Sequence, residues 1–145
     1  MKSMFKAFNA IPLFGILLVL YFIGSTLLAQ IYPGVEGVQG AMDFRIHGFR
    51  LPSNATWFIR VSDVVILIGL FVLYIELFKS TKATDTTIYE HILSLFVFLA
   101  YLLIFLYAPM VANSTFVILG AMSFIDVVAG ITITITAARK DLSLG

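Results

Sequence analysis

Four apolar runs, at about 10–31, 58–78, 88–109 and 115–138, each reach the roughly 20 residues that a helix needs to cross about 30 Å of hydrocarbon. In lipid every backbone N–H and C=O must be satisfied within the segment or a closed barrel, so runs of this kind read as helices. The expected fold class is an all-α membrane protein, a four-transmembrane-helix bundle forming one domain over residues 1–145. Composition agrees: 61% of the chain is hydrophobic and 12% charged, against about 45–50% and about 25% in soluble domains.

Local signals mark the ends of the runs. Pro12 falls in the first turn of the first run, where a missing N–H costs little. Thr87 and Glu90 form a T-x-x-E capping box at the third, and Pro109 closes it. Asn113 or Ser114 is placed to cap the fourth. Its tail, "ITITIT", alternates like a strand but continues a run that only a helix completes. Lys2 and Lys6 precede the first run and "STLLA" resembles a weak secretory cleavage site, yet the run is expected to be a retained span. The positive-inside rule puts Lys2, Lys6, Lys79, Lys82, Arg139 and Lys140 in the cytoplasm and Arg45, Arg50 and Arg60 outside, with both termini cytoplasmic.

The loop at 32–57 is the one sizeable segment outside the runs. "DFRIHGFRLP" predicts a short β-hairpin with His47-Gly48 at the turn. That register pairs Ile46 with Phe49, Arg45 with Arg50 and Phe44 with Leu51, giving one apolar face and one carrying both arginines. Two readings stay open: an interfacial loop resting its apolar side on the bilayer, or a docking surface for a protein partner. Trp57 reads as an interface anchor at the start of the second span.

Asp126 lies 12 residues from Ser114 and 13 from Arg139, roughly 18–20 Å from either end of its run. An ionised carboxylate at that depth costs at least about 2.5–3.5 kcal/mol, so a neutral, hydrogen-bonding acid is expected. Gly120, Ser123, Val127, Gly130 and Thr134 form a small-residue stripe beside it, a surface suited to a second helix. Tyr21 and Tyr101 fall at a similar depth, with Ser25 and Thr26 one turn further out, and are candidate partners within the bundle or across a subunit boundary. Asp126 therefore reads either as interhelical glue or as a proton- or cation-handling carboxylate. Asp63 has Arg60 three residues earlier, a local ion pair, but the stripe Asp63, Leu67, Leu70, Tyr74 also suggests a polar entrance. Glu76 has Lys79 and Ser80 within one turn, which predicts an interfacial Glu–Lys pair.

Several chemistries are excluded. There is no cysteine, hence no disulfide, thiol catalysis or thiolate metal site. His47 and His91 lie on opposite sides of the membrane, so one subunit does not offer both to a haem. No metal-ligand cluster, cofactor fingerprint or nucleophile–base set is visible, so neither a cofactor nor an enzyme is expected. A net charge of +1 without a basic stripe argues against nucleic acid.

The stretches "LPSNATWFIRVSDVVILIGLFVLYIELFKST", then His91, then "FIDVVAGITITITAARKDL" resemble a group of small four-span inner-membrane proteins of proteobacteria. The likeness covers roughly residues 50–142 and implies a bacterial inner-membrane location and no activity. Small multidrug transporters share only the span count; their essential acid is in the first helix, which here has none. The functional expectation is a structural or accessory membrane protein that self-associates or joins a larger complex, with Gly120, Ser123, Asp126 and Gly130 as a helix contact and the hairpin docking outside. The alternative is a small oligomeric channel or proton-coupled transporter using Asp126.

Overall fold

The computed structural model describes residues 11–81 and 87–143. Lys2, Lys6 and Lys82 lie outside the described residues, as does the side chain of Thr87 and with it the expected capping box. The element order is α1 (Leu13–Ile31), α2 (Gly37–Asp43), β1 (Arg45–Arg50), β2 (Thr56–Arg60), α3 (Val61–Ser80), α4 (Thr87–Tyr107), a single 3₁₀ turn (Pro109–Val111) and α5 (Ser114–Ser143). Four of these helices, α1, α3, α4 and α5, are long and apolar enough to cross a membrane.

The helix ends differ from the expected ones in instructive ways. Pro12 is not inside the first turn but is the N-cap residue itself, extended at φ −64°, ψ 122°. Residues 56–60 belong to a strand, so α3 begins at Val61 rather than near 58. α4 stops at Tyr107, two residues short of Pro109, whose ring cannot continue a helix. Asn113 caps α5: its Oδ1 accepts the N–H of Phe116 at 3.0 Å. The alternating "ITITIT" stretch is helical, and Thr132 and Thr136 donate back to the carbonyls four residues earlier at 2.8 Å. Those back-bonds satisfy the threonine hydroxyls within the helix itself.

The hairpin exists, but in a different register. His47 and Gly48 sit inside β1, and the chain reverses at 51–55 instead. Phe49 faces Trp57, Gly48 faces Phe58, His47 faces Ile59 and Arg45 faces Arg60, with a bulge at Ile46. The turn chemistry comes from Pro52, Ser53 and Asn54. Asn54 takes the left-handed conformation at φ 63°, which asparagine tolerates, and donates its N–H to the Leu51 carbonyl at 2.9 Å. Gly48 is needed mid-strand because a Cβ there would stand 2.9 Å from the ring of Phe58. The expected cross-strand pairing of Arg45 with Arg50 is therefore absent; Arg50 reaches Asn54 at 3.4 Å and Arg45 lies 4.8 Å over the Phe58 ring.

α5 packs along both α3 and α4, while α1 packs against α2, α3 and α4. The core is a column of Phe14, Leu17, Tyr21, Leu73, Tyr101, Phe116 and Leu119, closed at the ribbon end by Val38, Ala41 and Met42 of α2. Three rings meet there: Phe116 is 5.4 Å from Tyr21 and 5.3 Å from Tyr101. Such a column is held by close van der Waals fit between its rings and aliphatic side chains. Gly69 sets the closest approach of α3 to α5, since a Cβ on it would come within 2.6 Å of the Leu119 side chain and 3.1 Å of Met122 Sδ. Gly120 has more room, its nearest neighbour, Tyr101 Cβ, lying at 3.6 Å.

These two glycines should separate in a denaturation experiment. Gly69→Val is expected to destabilise the bundle by about 1–3 kcal/mol through overpacking, whereas Gly120→Ala should be close to neutral. An SDS titration followed by circular dichroism measures both; equal losses would contradict the packing described.

Candidate functional site

Four of the buried polar residues, Glu76, Ser94, Ser123 and Asp126, gather where α3, α4 and α5 meet near the start of α1. Glu76, 6% exposed, comes from the one face of α3 that also buries Gly69 and Leu73. Its Oε1 accepts the backbone N–H of Leu13 at 2.6 Å, and its Oε2 pairs with Lys79 Nζ at 3.1 Å. The expected Glu–Lys pair is present, yet the stronger feature is long-range. Pro12 has no side-chain group to cap α1, and a carboxylate from another helix takes that place at the positive end of the helix dipole. Ser80 donates to the Glu76 carbonyl at 3.0 Å rather than to its carboxylate.

Asp126 is 4% exposed and Ser123, one turn earlier on α5, is 1% exposed. Ser94 of α4 and Glu76 and Lys79 of α3 are the polar neighbours of the Asp126 carboxyl. Asp126 Oδ2 and Ser123 Oγ are fully enclosed and have no hydrogen-bond partner. One turn beyond, His91 of α4 shares a hydrogen bond of 2.8 Å between Nε2 and Thr134 Oγ1. Its ring fills the space over Gly130, where a Cβ would stand 2.7 Å from Cε1. The cluster thus strings Thr134, His91, Glu76, Asp126, Ser94 and Ser123 along one side of α5.

The two tyrosines expected near Asp126 go elsewhere. Tyr101 donates to the Phe14 carbonyl at 3.1 Å, and Tyr21 pairs with Asn113, accepting from Nδ2 at 3.0 Å. Ser25 and Thr26 donate to the Phe22 carbonyl at 3.0 and 2.9 Å, so neither reaches Asp126. Asn113 is 13 residues from Asp126 along the sequence, about 20 Å of helix, and Phe116 and Leu119 fill the interval. The interior therefore holds two polar zones with an apolar layer between them.

The small-residue stripe is occupied within the chain: Gly120 lies against Tyr101 and Gly130 against His91, both on α4. Asp63 does not open an entrance. Its Oδ2 accepts the Arg60 N–H at 2.9 Å and so closes the first turn of α3. Leu67, Leu70 and Tyr74, which continue its stripe, are 55–64% exposed and turn away from the bundle.

The ribbon is the other candidate. Every residue of β1 is exposed, and Trp57 and Phe58 of β2 are 51% and 43% exposed. The register puts His47, Phe49, Trp57 and Ile59 on one face and Arg45, Arg50, Arg60 and Phe58 on the other. Ile46 is the bulged residue and Leu51 starts the turn. Phe44 belongs to the anchor, half-buried 4.7 Å from Tyr32, with its carbonyl accepting the Val61 N–H at 3.0 Å. Trp57 is thus a strand residue, not the first residue of a span.

Sequence reasoning missed Ser94, Asn113 as the partner of Tyr21, and the Leu13 amide; it paired Arg60 with Asp63 but through the side chain, where the backbone N–H makes the bond. Ser94 alone carried a signal, standing one turn from His91 on the same helix. Among the described residues no group of three or more His, Cys, Asp or Glu is placed to hold a metal ion. Comparison with protein families, with characterised proteins and with solved structures finds no match.

The Glu76 cap can be tested directly. Glu76→Ala should cost roughly 1.5–3 kcal/mol, the range for a hydrogen bond to a charged group, while Glu76→Gln keeps an acceptor for Leu13 and should cost less. SDS unfolding of the two variants checks the order; an Ala variant as stable as wild type contradicts it.

Proposed function

We propose that this chain is a non-enzymatic, multi-pass protein of a bacterial inner (cytoplasmic) membrane, with both termini cytoplasmic. In this reading it is a structural or accessory subunit that self-associates or joins a larger membrane complex. The observation that supports this most is the ribbon: two short strands with exposed aromatic and cationic faces, clamped to the bundle by the Phe44–Val61 hydrogen bond and the Asp63 cap. A two-stranded sheet with both edges free is marginal alone and gains most from a partner. Gly120 lies against Tyr101 and Gly130 against His91 within the chain, which favours the ribbon over that stripe as the surface for assembly. The likeness to small four-span inner-membrane proteins of proteobacteria over residues 50–142 points to the same location.

Size measurement of the detergent-solubilised protein, with identification of anything that co-purifies, tests this reading. Wild type should run as an oligomer or with a partner, and the double variant Phe49→Ser, Trp57→Ser should run as a monomer with unchanged helicity. A monomeric, partner-free wild type overturns the proposal.

A second reading, a small oligomeric channel or proton-coupled transporter using Asp126, is favoured by one observation. Two enclosed oxygens, Asp126 Oδ2 and Ser123 Oγ, lack partners in the bundle interior, and such groups call for an explanation. The apolar layer of Phe116 and Leu119 weighs against it, since it interrupts any polar route through one protomer. Reconstituted vesicles separate the two readings: the accessory role predicts no pH-dependent flux from wild type, whereas transport predicts flux that Asp126→Asn abolishes without changing oligomer size.

A further inference from the structure

α4 and α5 leave a continuous groove along their outward side. Near the 3₁₀ turn it opens into a cavity of about 780 Å³, and Phe105 and Val117 connect this to a second, about 380 Å³, that continues between the helices to Phe98 and Phe124. Both volumes fall within the range of about 300–1,000 Å³ typical of sites for small molecules. The groove forms there because α5 presents Gly120 and Ala121 where the facing residues of α4 are Phe98, Leu102 and Phe105, with buried Tyr101 and Phe116 as the floor.

Its two ends differ in chemistry. The deep end is aromatic and aliphatic. The wide end is lined by Glu36, Gln39, Asn113 and Ser114 among others, and among the described residues no lysine or arginine lines it. From Ser114 to Phe124 the groove follows ten residues of α5, about 15 Å, which is one leaflet of a hydrocarbon core about 30 Å thick. An apolar slot one leaflet deep, with an acidic rim at the helix ends, matches an amphiphile standing upright with a cationic nitrogen in its head group.

We propose that this groove binds one ethanolamine phospholipid from the surrounding bilayer, an acyl chain lying between α4 and α5 and the ammonium paired with Glu36. The proposal rests on the membrane reading above but not on the accessory role. A bulky side chain at Ala121, an exposed residue of the slot, blocks the chain, while neutralising Glu36, an exposed residue of the rim, removes only the head-group preference.

The test reconstitutes the full chain into vesicles of equal phosphatidylethanolamine and phosphatidylglycerol, checks flotation, extracts in mild detergent and quantifies retained lipid by mass spectrometry. Wild type should float and retain phosphatidylethanolamine over phosphatidylglycerol by about two- to fivefold relative to the bulk, the range that one exposed ion pair supports. Glu36→Gln should still retain lipid but at the bulk ratio, and Ala121→Phe should retain about fivefold less at unchanged helicity. Should Ala121→Phe lose its helicity, the Glu36→Gln ratio decides. A wild type that does not float overturns the membrane reading together with this one. A floating wild type with the bulk ratio, or an enrichment that survives Glu36→Gln, overturns the lipid site alone.

Discussion

α1 begins inside the bundle, and its first amide is held by a carboxylate 63 residues away. A helix start leaves four backbone N–H groups without intrahelical partners, and where no water reaches them they must find acceptors. Pro12 removes one donor and offers no side-chain cap; Glu76 supplies the acceptor and a negative charge together. That bond sets the depth of α1 against α3. The depth in turn brings the Phe14 carbonyl under Tyr101 and lines up Tyr21 with Asn113, so all four long helices are indexed to each other by polar contacts at a few levels.

The same logic sorts the interior into zones. Glu76, Lys79, Asp126, Ser94 and His91 share one level, Tyr21 and Asn113 another, and rings fill the gap. Polar groups that pair across helices in an apolar surrounding fix register more than they add stability, because the unfolded chain in lipid also finds partners for them. Asp126 and Ser123 stand out because this sorting leaves an oxygen on each unpaired.

Much of the fold was legible along the chain. The four long helices followed from run length and backbone satisfaction, and the Asn113 cap from its position before an apolar run. The hairpin was legible as a hairpin, but His47-Gly48 was read as its turn. The turn signal lay in Pro52-Ser53-Asn54, where Leu51 was read as a strand residue paired with Phe44 and Trp57 as the anchor of the second span. Gly48 served to admit the Phe58 ring, a contact between strands that no local pattern carries. The short helix α2 was also unforeseen, since "GVQGAMD" has glycines that lower its helical propensity and forms where Val38, Ala41 and Met42 can be buried.

The sequence by itself determined that four long helices form and that Asp126 is deep, because hydrogen bonds within a helix and the rise per residue are local quantities. Only the tertiary structure decided who receives which bond. Tyr21 and Tyr101 matched Asp126 in depth counted from helix ends, but the helices are offset along the bundle, and Tyr21 comes level with Asn113 instead. The small-residue stripe likewise predicted that a helix would pack there without saying whose; α4 of the same chain does. Contacts such as Leu13 to Glu76 and His91 to Thr134 join residues 63 and 43 apart. They exist because separate helices meet at particular rotations, which no single segment encodes.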